Sequence, residues 1–373
     1  MFIRPFRPGM VGAHARLSRA APLGLEPVWR YSPHMSSSLS EQPALKPSSL
    51  PPGTTAWVLA SGKVGHEVHC LGIARALGLE PQLKQVTPRA LFAALSPFGP
   101  IDPRDSARRP GSLLAPPFPD IIFAAGRVTV PYLRHLRRAS GGRAFTVFLQ
   151  DPRTGPGTAD LLWVPEHDKL RGENVVVTLT SPHPLRPHVL EAARQSPDTR
   201  LAGLPHPRIA MVLGGPSAHH RFEDADVAAL VRIAMDLAAA GCGVMVTPSR
   251  RTPDHLTRAL ARALAGKPAF VWDGTGDNPY AAMIALSDAI IVTGDSVNMV
   301  GEALAAGVPV QVYEPSGGHP KIAGFIEKLV QAGHVRRWAG GLERWDNPPL
   351  DATSLISEQI ARRYAAFRAS PKG

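Results

Sequence analysis

The sequence lacks any long hydrophobic run. Its richest apolar stretch, residues 237–247, is short and interrupted by glycine, whereas a membrane-spanning helix needs roughly 18 to 20 apolar residues. Any membrane contact is therefore expected to be peripheral. Cysteine is also scarce, because Cys70 and Cys242 are the only two. Two cysteines exclude a disulfide framework and favour a reducing compartment.

Acidic and aromatic residues are also few. There are 30 acidic against 41 basic residues, a net charge of +11, and 6% of the residues are aromatic. The basic residues occur in scattered pairs such as Arg250-Arg251 rather than in one block. This composition argues against a nucleic-acid partner and favours a small phosphorylated ligand or an anionic lipid surface.

The length of 373 residues suits two domains rather than one core. Residues 1–53 are predicted to be an extension outside the folded body. Residues 1–34 contain five arginines and one glutamate, which is typical of a mitochondrial transit peptide. An upstream extension of the reading frame ahead of Met35 explains this region equally well.

From residue 54 onward, short apolar runs alternate with helix-like segments, a pattern that predicts parallel sheets with helices on both faces. The fold class is therefore predicted as α/β, with two doubly wound Rossmann-like domains facing a cleft. The predicted divisions are an N-terminal domain at 54–185, a linker at 186–207, a C-terminal nucleotide-binding domain at 208–335 and a tail at 336–373 with a helix packing back on the body. The predicted strands are 55–61, 120–126, 145–151, 160–165, 174–180, 208–215, 243–249, 269–274, 288–293 and 308–314.

The first candidate loop, "SGKVGHE" (61–67), directly follows a predicted strand. Gly62 and Gly65 would permit close approach of the backbone to an anion, and Lys63 adds charge. The spacing matches neither a Walker A motif nor G-x-G-x-x-G. His66 could cap the helix or act in the cleft, and both interpretations stay open. Because His66 and His69 are three residues apart and H-E-x-x-H is absent, no metal site is predicted.

Two further loops follow strands of the second series. In "LGGPSAHHR" (213–221), Gly214 and Gly215 are expected to supply backbone donors to a ligand, although they could serve only a tight turn. The cluster of Ser217, His219 and His220 favours contact with a phosphate or sugar. In "TPSRRTPDH" (247–255), Arg250 and Arg251 are placed to bind a diphosphate, because guanidinium groups match phosphate oxygens. A solvated loop is the alternative. Thr252-Pro253 is expected to start a helix as N-cap and first-turn proline.

The stretch "IVTGDSVNMVGEALAAGVPV" (291–310) carries a polar stripe. Asp295, followed by Ser296, is expected to be the N-cap of a helix. Asn298 and Glu302 are three and seven residues further on, so they share one helix face with Asp295. Such a stripe suits the hydroxyl pair of a ribose or sugar, although an ordinary solvated face would look the same.

These segments occur in an order that resembles the mitochondrial fission ELM-type family, from about residue 57 to residue 313. "QDPR" (150–153) and "SRRTP" (249–253) are the most specific matches. The second half is also similar to GT-B glycosyltransferases. That resemblance implies that Glu302 holds the ribose of a sugar donor and that the loop with His66 lies near the acceptor. His66 and Asp151 are then the candidates for a catalytic base.

Together these observations predict that a nucleotide-diphosphate sugar binds in the cleft, with no metal and no further cofactor, and that a metal-independent glycosyl transfer takes place there. The alternatives are a non-catalytic recruitment factor in membrane division and a nucleotide-sugar epimerase. The expected location is the cytoplasm, with basic surface available for peripheral membrane contact, or the mitochondrion if residues 1–34 are a transit peptide.

Overall fold

The computed structural model describes residues 29–31, 50–62 and 64–370. The strands are β1 (Trp29–Tyr31), β2 (Ala56–Ala60), β3 (Gln82–Gln85), β4 (Ile121–Ala124), β5 (Phe145–Leu149), β6 (Leu161–Pro165), β7 (Val175–Thr178), β8 (Arg208–Leu213), β9 (Gly243–Pro248), β10 (Ala269–Val271), β11 (Ala289–Thr293), β12 (Val310–Tyr313), β13 (Arg336–Arg337) and β14 (Leu342–Arg344). The helices are α1 (Val64–Ala76), α2 (Ala90–Leu95), α3 (Val130–Ala139), α4 (Pro187–Gln195), α5 (Thr199–Ala202), α6 (Asp224–Ala239), α7 (Asp254–Ala263), α8 (Tyr280–Leu286), α9 (Val297–Ala303), α10 (Pro320–Gln331) and α11 (Ala352–Ala369).

The N-terminal sheet has six parallel strands in the order β3-β2-β4-β5-β6-β7. Helices α1 and α11 cover one face, where Ile73 and Ile356 lie in the same buried cluster. Helix α3 and the segment that precedes β4 cover the other face, with Leu133 and Leu114 in its core. Because both faces are covered, β2, β4 and β5 are buried along their whole length.

The C-terminal sheet also has six parallel strands, in the order β10-β9-β8-β11-β12-β13. One face packs on α4, α8, α9 and α10, and the other on α6 and α7. The order of strands reverses between β8 and β11, just as it does between β2 and β4 in the first sheet. The predicted α/β class with two doubly wound sheets is therefore confirmed.

The apolar runs that predicted strands do form strands, within a few residues at each end. The sequence pattern did not predict β3, because its residues are mostly polar and exposed at the sheet edge. The segment expected to be a linker, 186–207, contains α4 and α5. Their Leu190 and Leu201 are buried in the core of the C-terminal sheet, so this segment is part of that unit.

Two connections cross between the halves of the chain. Helix α11 returns to the N-terminal sheet, where the Tyr364 and Phe145 rings are 5.8 Å apart. At its first turn, the Thr353 hydroxyl donates to the carbonyl of His183 at 2.8 Å and accepts from its amide at 2.9 Å. Within the predicted N-terminal extension, β1 pairs with β14. Residues 1–28 and 32–49 lie outside the described residues, so the extension stays a prediction for them.

The carboxyl edge of the N-terminal sheet adjoins the C-terminal unit. Glu166, after β6, forms an ion pair with Lys328 of α10 at 3.5 Å. Gly301 of α9 lies against Thr180, after β7, closely enough that a Cβ there would be 3.3 Å from the threonine Cβ. In the described part of the chain, no helix is both long and apolar enough to span a bilayer.

Candidate functional site

In each sheet, the point where the strand order reverses brings predicted loops together. In doubly wound sheets a crevice opens at the carboxyl ends of the strands where the order reverses. In the C-terminal sheet these strands are β8 and β11, and the loops after them carry Gly214-Gly215 and Asp295-Ser296. Strand β9 is next to β8, and Arg250-Arg251 follow it. Three loops far apart in sequence therefore meet at one edge.

The Asp295 carboxylate joins these three loops. Its side chain is inaccessible to solvent. It accepts hydrogen bonds from the Gly215 amide at 3.1 Å, the Thr293 hydroxyl at 2.7 Å and Arg251 Nη2 at 2.8 Å. A buried carboxylate needs such donors to offset its lost hydration. Asp295 therefore holds the three loops together and is not itself exposed at the edge.

Close packing requires a residue without a Cβ at both positions after β8. A Cβ on Gly214 would overlap the Asp295 carboxylate, and a Cβ on Gly215 would overlap the backbone carbonyl of Arg251. The Gly214 amide donates to Thr293 Oγ1 at 2.7 Å, and the Gly215 amide is bound to Asp295. Both amides, expected from the sequence to meet a ligand, therefore donate within the protein.

The two arginines after β9 differ in their roles. Arg251 Nη1 donates to the carbonyls of Gly215 at 2.8 Å and Pro216 at 3.2 Å, so most of its guanidinium is used inside the loop cluster. Arg250 is exposed, and no hydrogen bond engages its side chain within the described residues. Thr252 is not the helix N-cap that was predicted. Its hydroxyl donates to the Leu213 carbonyl at 2.9 Å, and α7 begins two residues later, at Asp254.

The prediction that Asp295 caps a helix is wrong. Helix α9 begins at Val297 and its N-cap residue is Ser296, because the Asp295 carboxylate is bound by Thr293 and by donors from the loops after β8 and β9. The predicted common face is therefore not continuous, since Asp295 is buried and Asn298 is exposed. The side chains of Ser296 and Asn298 make no hydrogen bond to any other described residue.

Glu302 lies on α9 and is paired with Tyr280 at the start of α8. The tyrosine hydroxyl donates to Glu302 Oε2 at 2.7 Å. Burial raises the pKa of the Glu302 carboxyl, and the hydrogen bond from Tyr280 opposes that rise. Burial and the nearby carboxylate together raise the pKa of Tyr280, which keeps it a donor. Oxygen Oε1 of Glu302 has no partner in the described chain and is available to a hydroxyl group.

Three histidines, His219, His220 and His319, lie together at one side of this edge. Ser217 accepts from the amides of His219 at 3.2 Å and His220 at 3.1 Å, so its hydroxyl oxygen shapes the turn. The rings of His219 and His319 are in contact, with centroids 4.3 Å apart and their planes tilted by 47°. Burial lowers the pKa of His220; Asp295 opposes this, while His219, Arg251 and His319 add to it.

The loop of residues 315–319 forms backbone hydrogen bonds with the turn around His219. The Gly318 amide donates to the His219 carbonyl at 2.7 Å, and the Arg221 amide donates to the Ser316 carbonyl at 2.7 Å. A Cβ on Gly317 would overlap the His219 carbonyl. The sequence did not predict this loop as part of the site, although its composition, "SGGHP", is typical of a turn.

In the N-terminal sheet, the loop after β2 meets the loop after β4. His66 of α1 lies against Gly126, where an added Cβ would overlap the imidazole ring. The Gly62 amide donates to Glu67 Oε1 at 2.9 Å, so it also serves the protein itself. Gly65 has open space around its Cα. Lys63 lies outside the described residues.

Asp151 follows β5, one strand away from β4. Its Oδ1 accepts from the Arg153 amide at 2.7 Å, and Arg153 has a left-handed backbone with φ of 63°. This contact stabilises the turn in "QDPR", which gives Asp151 a structural role besides the catalytic one predicted. Roles for His66 and Asp151 in catalysis stay predictions.

The structure thus divides the predicted site residues into two groups. The residues whose polar groups hold the loops together are Gly62, Gly214, Gly215, Ser217, Arg251 and Asp295. The residues that have polar atoms without a hydrogen-bond partner among the described residues are Arg250, Ser296, Asn298 and Glu302. Tyr280 was missed as a site residue. Its signal was its place in "DNPY", at the start of the helix that precedes β11.

Two surface grooves lie away from this edge, on the N-terminal sheet. One, of about 500 Å³, is lined by Arg134, Arg137 and Arg138 with nearby glycines. The other, of about 480 Å³, is lined by Arg108, Arg109 and Phe118 among others. The loops after β8, β9 and β11 contribute to neither groove. Among the described residues, no group of three His, Cys, Asp or Glu is arranged to hold a metal ion.

Comparison with known proteins identifies relatives of this chain. The family model described as "Mitochondrial fission ELM1" matches residues 64–364. The mitochondrial fission protein ELM1 of Arabidopsis thaliana is 30% identical over 276 residues, which cover 66% of this chain and 64% of that protein. The chain thus spans less than two thirds of that relative's length.

Solved structures give looser matches. MurG of Acinetobacter baumannii is 17% identical, with a TM-score of 0.43 and coverage of 84% of this chain and 94% of that one. The UDP-GlcNAc 2-epimerase of Neisseria meningitidis bound to UDP-GlcNAc is 11% identical, with a TM-score of 0.43 and coverage of 84% and 92%.

Proposed function

The chain belongs to the mitochondrial fission ELM1 family, and we propose that it binds a nucleotide-diphosphate sugar between its two sheets and transfers the sugar in a GT-B-like reaction without a metal. The observation that carries this proposal is the coincidence of two features. Both reversal points of strand order bear glycine loops, and the open polar groups of the C-terminal unit lie on loops and a helix beside one of them.

The C-terminal edge supplies different groups for different parts of such a ligand. Glu302 accepts hydrogen bonds from the ribose hydroxyls through Oε1, while Tyr280 holds Oε2. Arg250 binds the diphosphate, because its guanidinium is exposed and makes no hydrogen bond to other described residues. Ser296 and Asn298 provide neutral polar contacts nearby. Arg251 and Asp295 keep these groups in position without touching the ligand.

Transfer of the sugar would depend on positioning and on stabilising the leaving diphosphate. In this proposal the acceptor lies on the side of the N-terminal sheet, near His66 and Gly126. His66 or Asp151 would take the acceptor proton if a base is needed. His66 is the better placed of the two, because it lies at the reversal point between β2 and β4.

A thermal-shift titration with UDP, GDP, ADP and UDP-N-acetylglucosamine tests the binding step. We expect at least one of these to raise the unfolding temperature of the full chain, because a ligand that binds only the folded state stabilises it. Glu302→Ala and Arg250→Ala should each weaken that binding about tenfold or more, since each removes a charge-assisted contact.

The matched control is Arg258→Ala, since Arg258 is an exposed arginine on α7 whose ion pair, with exposed Asp254, is 3.9 Å long. That variant should bind like the wild type. The binding proposal fails if none of the four nucleotides stabilises the chain, or if the Glu302 and Arg250 variants bind as well as the Arg258 control.

A second candidate is a non-catalytic recruitment factor, and the name of the Arabidopsis relative favours it. Asp295, Arg251 and Ser217 bind groups of the protein itself. This is compatible with the second candidate, because a protein that only recruits a partner needs no catalytic groups. Such a protein would keep its partner when Glu302 is replaced by alanine. An epimerase would share the ligand, and product analysis by mass spectrometry separates it from a transferase.

A further inference from the structure

Exposed apolar side chains are concentrated in one segment of the N-terminal unit. Among the described residues, seven large hydrophobic side chains are exposed, and four of them lie between residues 91 and 113. The strongest are Phe98 at 69% and Leu91 at 65% exposure, with Leu95 at 47%. Single exposed apolar residues are normal on protein surfaces, whereas a cluster is typical of an interaction site.

Helix α2 and the turn after it present three of these side chains together. Leu91 and Leu95 are four residues apart on α2, so they share one helical face, and Phe98 follows in the turn. None of the residues of α2 is buried. The helix ends at Leu95, and Ser96 has an extended backbone with ψ of 146°. The Phe98 and Gly99 amides donate to the Leu95 carbonyl at 3.2 and 2.9 Å, which keeps Phe98 close to the end of α2. We call Leu91, Leu95 and Phe98 the apolar edge.

The apolar edge is held on a fixed support. Arg127 follows β4 and Gly126, and its Nη1 donates to the Ala94 carbonyl at 3.2 Å and to the Ser96 carbonyl. The carboxylate of Asp102 is inaccessible to solvent and accepts from Arg89 Nε and Arg104 Nη2, both at 2.9 Å. The exposed apolar side chains therefore belong to an ordered part of the fold.

The exposed charge around the apolar edge is positive. Residues 87–119 contain four arginines, two aspartates and neither lysine nor glutamate. Both aspartates are engaged, since Asp102 binds two arginines and Asp105 accepts from the Tyr132 hydroxyl at 2.6 Å. The side chains of Arg89 and Arg104 remain about half exposed, at 55% and 52%.

We propose that the apolar edge inserts into the surface of an anionic phospholipid bilayer. Apolar side chains that penetrate the headgroup region, flanked by arginines that attract anionic lipids, are the two requirements for interfacial binding. A symmetric contact with a second copy fits less well, because it would bring Arg89 and Arg104 close to the same residues of the partner. The buried carboxylate of Asp102 is already shared by both arginines, and the other carboxylate of the segment, Asp105, accepts from Tyr132.

This inference does not rest on the nucleotide-binding proposal. It does give the site an orientation, because Arg127 links the apolar edge to the loop that contacts His66. A protein docked by this edge holds the N-terminal side of the crevice close to the lipid headgroups. A membrane-bound acceptor would then be within easier reach than a soluble one.

Vesicle co-sedimentation of the full chain tests the proposal. Phosphatidylcholine vesicles with added phosphatidylglycerol should bind the protein, and pure phosphatidylcholine vesicles should bind it much less. The double variant Leu91→Ser, Phe98→Ser should bind the anionic vesicles about tenfold more weakly or worse, because it removes two inserting side chains. Since both residues are exposed, the variant should keep the wild-type unfolding temperature and nucleotide binding.

Met235→Ser is the matched control, because Met235 is 42% exposed on α6 of the C-terminal unit and should not affect vesicle binding. The proposal is overturned if the wild type does not bind anionic vesicles. It is also overturned if the double variant binds them as well as the Met235 control, or if light scattering shows that the double variant only dissociates a dimer.

Discussion

Replacing Asp295 with alanine should destabilise the C-terminal unit by about 3 kcal/mol, the lower end of the cost of breaking a buried ion pair. The lower end applies because Arg251 is 42% exposed and can be hydrated once its partner is lost. The Gly215 amide cannot be hydrated in the same way. It is buried, and an unpaired buried amide alone costs about 1–3 kcal/mol.

Urea unfolding followed by circular dichroism measures the global effect, and hydrogen exchange of the peptide around Gly215 measures the local one. We expect a lower urea midpoint and a loss of protection at the Gly215 amide. Asp254→Ala is the control, because the Asp254 side chain is 89% exposed and its pair with Arg258 is 3.9 Å long. It should change stability by less than about 0.5 kcal/mol. Equal stabilities of the two variants would refute the role given to Asp295.

Three further predictions concern the same edge. Gly215→Ala should lower the free energy of unfolding in urea by about 3 kcal/mol or more, since its Cβ would overlap backbone atoms. Gly65→Ala, with open space around it, should be neutral or slightly stabilising. Equal effects of the two variants would contradict the packing described. Because burial raises the pKa of Glu302 above 4.5, nucleotide affinity measured by calorimetry should rise with pH through that raised pKa. The stability of the free protein should fall over the same range, because the folded state binds the proton more tightly, and Glu302→Gln should remove both trends. Tyr280→Phe should weaken nucleotide binding at neutral pH about three- to tenfold, as expected for one hydrogen bond, and should shift the pH midpoint upward; an unchanged midpoint would show that Tyr280 does not act on Glu302.

The fold was predictable where the signal was local. Continuous apolar runs such as "VVVT" and "AIIVT" predict buried strands, and their alternation with helices predicts parallel sheets. Strand β3 was not predictable in this way, because its mostly exposed "QLKQ" lacks an apolar pattern. The order of strands was not predictable either, because it depends on which strands pair across long stretches of chain. That order is what locates the two reversal points.

The site was predictable as a set of loops but not as a set of roles. Glycine, serine and arginine after strand ends predicted the loops around Gly215, Arg251 and Asp295. The sequence could not show that these residues bind one another, since the Asp295 partners come from positions up to 80 residues away. Asp295 looked like a helix cap because local spacing allows it, yet donors from the loops after β8 and β9 compete for the same carboxylate. The pairing of Tyr280 with Glu302 is non-local in the same way.

Helix α11 has a consequence for how the chain assembles. The N-terminal sheet begins near residue 56, but one of its faces is completed by Ile356, Ile360 and Tyr364. During synthesis that apolar face, with Phe145 and Ile73, has no cover until the ribosome has made nearly the whole described chain. The C-terminal sheet can finish its own core earlier. The half of the protein that is translated first is therefore the half that completes its packing last, and in the meantime its exposed face is the surface that a chaperone would bind.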